Sequence, residues 1–130
     1  MENEIICLDT SILIDFYRKK IKEKSAFFQL TTRCKLFAVS IITTYEIMIG
    51  SDVSQAEYWS DFFDRITVLP FDKKANDIAI DTAKYLKTIN KLIEVPDIFI
   101  GATALANNMK IATINKKHFD RIPGLVLVSE

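Results

Sequence analysis

Four apolar residues in a row, Ile5-Ile6-Cys7-Leu8, run without a polar break into Asp9-Thr10-Ser11. An unalternated apolar run of this length suits a strand covered on both faces, as in the middle of a parallel sheet. Asp, Thr and Ser directly after it are helix-capping residues. From there Ile12, Leu13, Ile14, Phe16 and Tyr17 carry a helical pattern. A buried strand that turns at once into a helix leaves few architectures open to the rest of the chain.

The same unit recurs. A basic stretch, 18–24, leads into a second helix carrying Phe27, Phe28 and Leu30. Residues 36–39 read as a second strand. Ser40 or Thr43 is placed to cap the helix containing Glu46, and Gly50 to end it. Residues 54–63 predict another helix, with Trp59, Phe62 and Phe63 as core candidates, and 66–69 a short strand stopped by Pro70. The longest helical pattern is 73–90, with an apolar stripe of Ile78, Ala79, Thr82, Tyr85, Leu86 and Ile89. Beyond Pro96, residues 97–106 are apolar nearly all round and predict a central, buried helix. A strand at 111–114, a helical turn at 116–119 and a last strand at 125–128 complete the chain. Strands alternating with helices predict a mostly parallel, five-stranded sheet with helices on both faces, in one domain spanning 1–130.

Bulk composition excludes several classes. Lys+Arg and Asp+Glu number 17 each, so the chain has no net charge with which to grip nucleic acid over its whole surface. Cys7 and Cys34 do not make a disulfide framework, and Cys7 reads as a small buried thiol. A single histidine, His118, argues against a zinc site. The opening Met1-Glu2-Asn3-Glu4 is acidic, unlike a signal peptide, and the apolar run 98–106 is too short to span a bilayer. The expectation is a cytoplasmic protein with no membrane partner.

Against that background three acids stand out. Asp9 closes the first apolar run, Glu46 lies within Val39 to Ile49, and Asp97 opens the run that follows Pro96. A carboxylate among apolar neighbours is costly to desolvate without a compensating cation or hydrogen bonds. In parallel sheets the site lies beyond the carboxyl ends of the strands, where strand order reverses. Asp9 follows the first strand and Asn115 the fourth, Glu46 sits one turn into the helix after the second, and Asp97 begins a helix just before the fourth. All four can reach one edge of the sheet. Oxygen-only donors of this kind suit Mg²⁺ or Mn²⁺, which would activate a water beside a phosphodiester. Taken singly, Asp9 also serves as a helix cap and Asp97 as a first-turn acid complementing the helix dipole. Glu46 is harder to explain that way, since Tyr45, Ile47, Met48 and Ile49 leave it little solvated face.

Neighbouring residues supply supporting chemistry. Thr10 and Ser11 are caps that can also orient Asp9. Thr113 and Asn115 flank the fourth strand's end, with Asn115 either a turn residue or a neutral group in the cleft. Lys116, Lys117, His118 and Arg121 follow, as solvated surface or as contacts to a nucleic-acid backbone. The 18–24 stretch (Arg18, Lys19, Lys20, Lys22, Lys24) would form a second basic lip.

Ile6-Cys7-Leu8-Asp9-Thr10-Ser11, Tyr45-Glu46-Ile47, Asp97-Ile98-Phe99-Ile100-Gly101-Ala102-Thr103-Ala104 and Ala112-Thr113-Ile114-Asn115-Lys116-Lys117-His118-Phe119, in this order, resemble the PIN domain. The ending Ile122-Pro123-Gly124-Leu125 resembles the VapC-type toxins of toxin–antitoxin pairs. The resemblance covers essentially the whole chain. It implies an α/β/α sandwich and Mg²⁺- or Mn²⁺-dependent endoribonuclease activity, with Asp9, Glu46 and Asp97 as the acidic core. It also implies a homodimer silenced by a small antitoxin whose tail enters the acidic cleft. Many such relatives carry a further acid in the segment matching 113–119. Asn115 and His118 stand there instead, which is consistent with a one-metal mechanism or with a site filled only when RNA is bound.

Two other readings stay open at this point. A phospho-acceptor receiver also places an acid at a strand end, but the segment after the third strand, Pro70-Phe71-Asp72, offers one acid only. A PIN domain lacking its fourth acid can also serve as an inactive RNA- or protein-binding module.

Overall fold

A computed structural model describes residues 3–129; Met1 and Glu2 of the acidic N-terminus, and Glu130, lie outside the described residues. The chain runs β1 (Ile5–Leu8), α1 (Thr10–Arg18), a 3₁₀ turn (Lys22–Lys24), α2 (Ala26–Thr31), β2 (Leu36–Ser40), α3 (Ile41–Ile49), α4 (Val53–Asp64), β3 (Thr67–Leu69), α5 (Lys73–Thr88), α6 (Val95–Ala106), β4 (Ile111–Ala112) and α7 (Lys116–Phe119).

The four strands form one parallel sheet in the order β3-β2-β1-β4. Ile5 pairs with Leu36 and Leu8 with Val39, while Cys7 and Leu8 face Ile111 and Ala112 on the other side. The chain therefore steps outward from β1 to β2 to β3, then crosses back to place β4 against the free edge of β1. That reversal falls between β1 and β4, and there the ends of two neighbouring strands leave a crevice. The fifth expected strand, 125–128, shrinks to a single parallel bridge of Leu127 to Ile111. Ile111 N donates to Val126 O and Val128 N donates to Ile111 O. Only two residues of β4 are available as a template, so the pairing cannot extend.

Burial on both sides of the sheet follows from the unbroken apolar strands. Ile6, Leu8 and Val39 pack with Ile12, Leu13, Leu30, Ile47 and Trp59 on one face. Cys7 and Ala38 pack with Ile100, Ala104, Ile111, Phe119 and Ile122 on the other. Helix α5 covers α6 from outside through Ala79, Ile98 and Ala102. The all-round apolar segment after Pro96 is thus the central, buried helix expected, with Pro96 in its first turn. Gly101 lets α6 approach the chain end closely, because a Cβ there would stand 2.5 Å from Ile122 Cδ1.

The helix ends show where local chemistry acts. Ser40 caps α3, accepting from Ile42 N at 3.0 Å. Helix α4 begins at Val53 because Asp52 and Gln55 form a reciprocal capping box. Lys22, expected in a basic lip, instead caps the carbonyls of Phe16 and Tyr17 at 2.6 and 3.0 Å, and Lys19 pairs with Asp15. In α5 the expected stripe holds at Ala79, Thr82 and Leu86, whereas Tyr85 and Ile89 are exposed. Among the described residues no helix is long and apolar enough to cross a membrane.

Candidate active site

Asp9 is 2% exposed and sits at the crevice between β1 and β4. Its backbone N donates to Ala112 O at 2.9 Å, so the sheet itself fixes it. Its Oδ2 accepts from Ser11 Oγ at 2.7 Å, from Thr113 Oγ1 at 2.8 Å and from the Ser11 backbone N at 3.4 Å. Thr113 in turn accepts from Asn115 N at 2.9 Å, and Ser11 Oγ accepts from Ile114 N at 3.1 Å. Asp9 is both the cap of α1 and the centre of this network. Ser11 and Thr113 both donate to Asp9, whereas Asn115 joins the network through its backbone and its side chain makes no cap hydrogen bond.

Thr10 serves a different acid. Its Oγ1 lies 2.8 Å from Glu46 Oε1 and 3.0 Å from Thr43 Oγ1. A hydroxyl has one proton to give, so Glu46 and Thr43 compete for it as acceptors, and the carboxylate is the stronger of the two. Thr43 is completely buried and is a member of the site that sequence reading took only as a possible cap. The available signal was its spacing: Thr43 lies three residues before Glu46, on the same helix face.

Glu46 is partly buried, but not for the reason expected. Of its apolar neighbours only Ile47 is buried; Tyr45 is 63% and Ile49 67% exposed, and Met48 is exposed too. Those side chains point away from the residue they flank in sequence.

Asp97 lies in the first turn of α6, partly buried. Its carboxyl is pushed up to about 6, first by burial, then by the negative charges of Asp9 and Glu46. The His118 imidazole, with Nδ1 3.5 Å from Asp97 Oδ2, works in the opposite direction. The three acids from β1, α3 and α6 therefore share one electrostatic field. Buried Cys7 feels Asp9 as well, and burial followed by that charge pushes its thiol up to about 12, leaving it unreactive.

This linkage has a measurable sign. Asp97 titrates at about 6 in the fold against an ordinary 3.8, so between those values the folded chain binds more protons than the unfolded one. The Asp97 contribution therefore lowers cation-free stability as pH rises from about 4 to about 6, and is constant above. We expect Asp97→Asn, free of divalent cations, to be more stable than wild type at pH 7.5 by roughly 1–2 kcal/mol after allowing for solvent screening. The gap should close near pH 4. Urea melts at both pH values check this, and equal midpoints at pH 7.5 would refute the shared field.

The donor set suits a hard cation in kind. Among the described residues the hydrogen bonds and ion pair engage one oxygen of each acid: Asp9 Oδ2, Glu46 Oε1 and Asp97 Oδ2. Each keeps a second oxygen for a cation, and mutual repulsion gives a cation something to relieve. Yet no three acidic, His or Cys side chains among the described residues already stand close enough to hold an ion. Charges of one sign spread apart onto their local partners. The residues suit a hard cation by their chemistry, and their charges act on one another at one end of the sheet.

The flanking cations divide. Lys117 and His118 are exposed beside the crevice. Lys116 lines a cavity of about 590 Å³ together with Ile12, Leu30, Arg33, Thr113 and Ile114. Arg121 turns its Nη1 to the carbonyls of Lys91 and Leu92 at 3.4 and 3.3 Å, serving the loop between α5 and α6.

Comparison with known proteins agrees with this geometry. The sequence matches the PIN domain over residues 6–125. It is 31% identical to Ribonuclease VapC1 of Methanocaldococcus jannaschii over 93% of this chain and 83% of that one. The fold is similar to VapBC-1 from nontypeable Haemophilus influenzae, with TM-score 0.83 and 25% identity over 96% of this chain and 97% of that one. It is likewise similar to a toxin–antitoxin complex from Klebsiella pneumoniae, with TM-score 0.76 and 26% identity over 96% and 98% of the two chains. By the match over residues 6–125 and by these relatives, the chain belongs to the PIN-domain family and resembles its VapC ribonucleases.

Proposed function

We propose that this protein is a Mg²⁺- or Mn²⁺-dependent endoribonuclease, the cytoplasmic toxin of a toxin–antitoxin pair. The observation that carries the reading is the placement of the acids: Ser11 and Thr113 hold Asp9 at the strand-order reversal, Thr10 beside it holds Glu46, and the charges of both act on Asp97. The relatives named as VapC ribonucleases and the similar toxin–antitoxin complex support the biological role.

In this reading Asp9, Asp97 and Glu46 would hold the ion. When bound, the ion supplies positive charge for the phosphate and lowers the pKa of a water. The chain's own residues do the rest. Ser11 and Thr113 clamp Asp9 by one oxygen so that the other keeps a fixed aim. Thr10, backed by Thr43, does the same for Glu46. The cavity that Thr113, the brace of Asp9, shares with Lys116 and Arg33 offers an RNA strand a path, and Lys117 offers a cation to its backbone. Arg121 hydrogen-bonds the carbonyls of the loop between α5 and α6. A cognate antitoxin and a second copy of the chain are the proposed protein partners. The exposed apolar face of α3, formed by Ile41, Tyr45, Met48 and Ile49, is the kind of surface a protein partner covers.

Cleavage of single-stranded RNA should appear with Mg²⁺ or Mn²⁺, vanish on chelation, and return when the ion is restored. Cleavage that persists in excess chelator would sink the metal reading. Binding of RNA with no cleavage under any divalent ion would favour an inactive binding module.

A further inference from the structure

We propose that the pocket beside Glu46 holds one unpaired base of a single-stranded RNA, a guanine, read by Arg18 and Gln55. The proposal rests on RNA being the substrate of the acidic site. It adds which base the chain selects next to that site.

The pocket has a volume of about 200 Å³ and lies between α1, α3 and the start of α4. Glu46 is part of its wall, so it adjoins the acids. The larger cavity holds Thr113, which bonds Asp9, and Thr10 beside Asp9 bonds Glu46. A strand running out of the larger cavity across the acids reaches the smaller pocket.

The walls are formed in advance. Trp59 is buried, and the ring of Tyr17 is fixed against Trp59 and Tyr58 at centroid distances of 5.5 and 5.2 Å. Ile14 and Ile47 add apolar surface. The volume is below the range of about 300–1,000 Å³ for drug-sized ligands, and suits one planar group. The charge of Glu46 in the wall opposes a phosphate there. Sequence-specific RNA recognition takes unpaired bases against such surfaces and hydrogen-bonds their edges.

The polar groups choose the base. In the basic stretch after α1, Lys19 pairs with Asp15 and Lys22 caps carbonyls. Arg18 makes no hydrogen bond or ion pair among the described residues, even though Glu46 lines the same pocket. Gln55 Oε1 accepts from Asp52 N at 2.9 Å, which leaves its Nε2 as the group without a partner among the described residues. Both groups are donors, so they call for a base edge that presents acceptors. Guanine offers O6 and N7 together, the pair that a guanidinium fork meets with two bonds, whereas adenine and cytosine place an amino group on that edge.

The test uses oligoribonucleotides that differ only in the base next to the cleaved bond, with Mn²⁺ present. Guanine should be cut about 10-fold faster than adenine, and 7-deazaguanine, which lacks N7, should lose about 10-fold. In Arg18→Gln the 7-deazaguanine penalty should vanish, and Arg18→Lys, which keeps the charge without the fork, should not restore it. Gln55→Glu keeps the oxygen that caps α4 and loses the amide donor, and should narrow the guanine preference. Trp59 gives a readout independent of cleavage, because it is the chain's only tryptophan and lines the pocket. In excess chelator its fluorescence should respond to the guanine oligonucleotide more than to the adenine one. Gly50 also lines the pocket, and a Cβ there would meet only Glu46 O and Ile47 O at 3.6 and 3.9 Å. Gly50→Leu should therefore fold, fill the pocket and abolish the response. Equal 7-deazaguanine penalties in wild type and Arg18→Gln, or a Trp59 response equal for guanine and adenine, would overturn the base assignment and leave the nuclease reading standing. A guanine-selective Trp59 response with no cleavage under any divalent ion would uphold the pocket and overturn the nuclease.

Discussion

Asp9→Asn will lower RNA cleavage by on the order of 10³-fold, about 4 kcal/mol of transition-state stabilisation, with little change in thermal midpoint. The separation of the two effects follows from how Asp9 is held. The fold uses Oδ2, which accepts from Ser11 and Thr113, and an Asn carbonyl oxygen can take over those bonds. The proposed chemistry needs the charge of the carboxylate, and in Asn the other oxygen is replaced by an amide NH2 with neither charge nor an available lone pair to offer an ion. Side-by-side rates for the variant and wild type at saturating Mn²⁺, with a thermal melt of each, provide the check. A variant that cleaves at more than a tenth of the wild-type rate would remove Asp9 from the active site. A variant that fails to fold would instead place its charge in the structure.

Phe119→Ala will cost about 3–5 kcal/mol of stability, the range for an aromatic deleted from a packed core. Phe119 is fully buried in the cluster behind the sheet, with Cys7, Leu69, Ile100, Ala104, Ile111 and Ile122. Helix α7 has four residues, too few to hold itself, so this ring is what anchors it. In urea the midpoint should fall while the slope stays constant. Lys117→Ala, on the exposed side of the same turn, should stay within about 0.5 kcal/mol of wild type. A loss below about 1 kcal/mol at Phe119 would mean that α7 is not part of the core, and the placement of His118 would lose its support.

The legible parts of this chain are those set by local pattern. The unbroken Ile5–Leu8 run and the caps after it sufficed to place β1, α1 and the crevice at Asp9, because burial on both faces leaves a strand no polar residues. The segment after Pro96 was legible for the same reason. Where the reading failed, sequence adjacency had been mistaken for adjacency in space. Tyr45 and Ile49 are one turn apart and share the outward face of α3, while Glu46 faces Thr10 from the next element. Residues 125–128 had the composition of a strand, but strand length depends on the partner, and β4 offers two residues. The contact between His118 and Asp97 depends on Gly101 admitting the chain end against α6, a tertiary fact with no local pattern.

The clamp on Asp9 joins residues 104 positions apart. During synthesis the carboxylate leaves the ribosome first, and the hydroxyl that steadies it emerges only 104 residues later. A product broken off before Thr113 would carry the acid without its brace, and would lack α7 as well. For an enzyme whose proposed target is RNA, the surrounding translation machinery is thereby spared an active fragment.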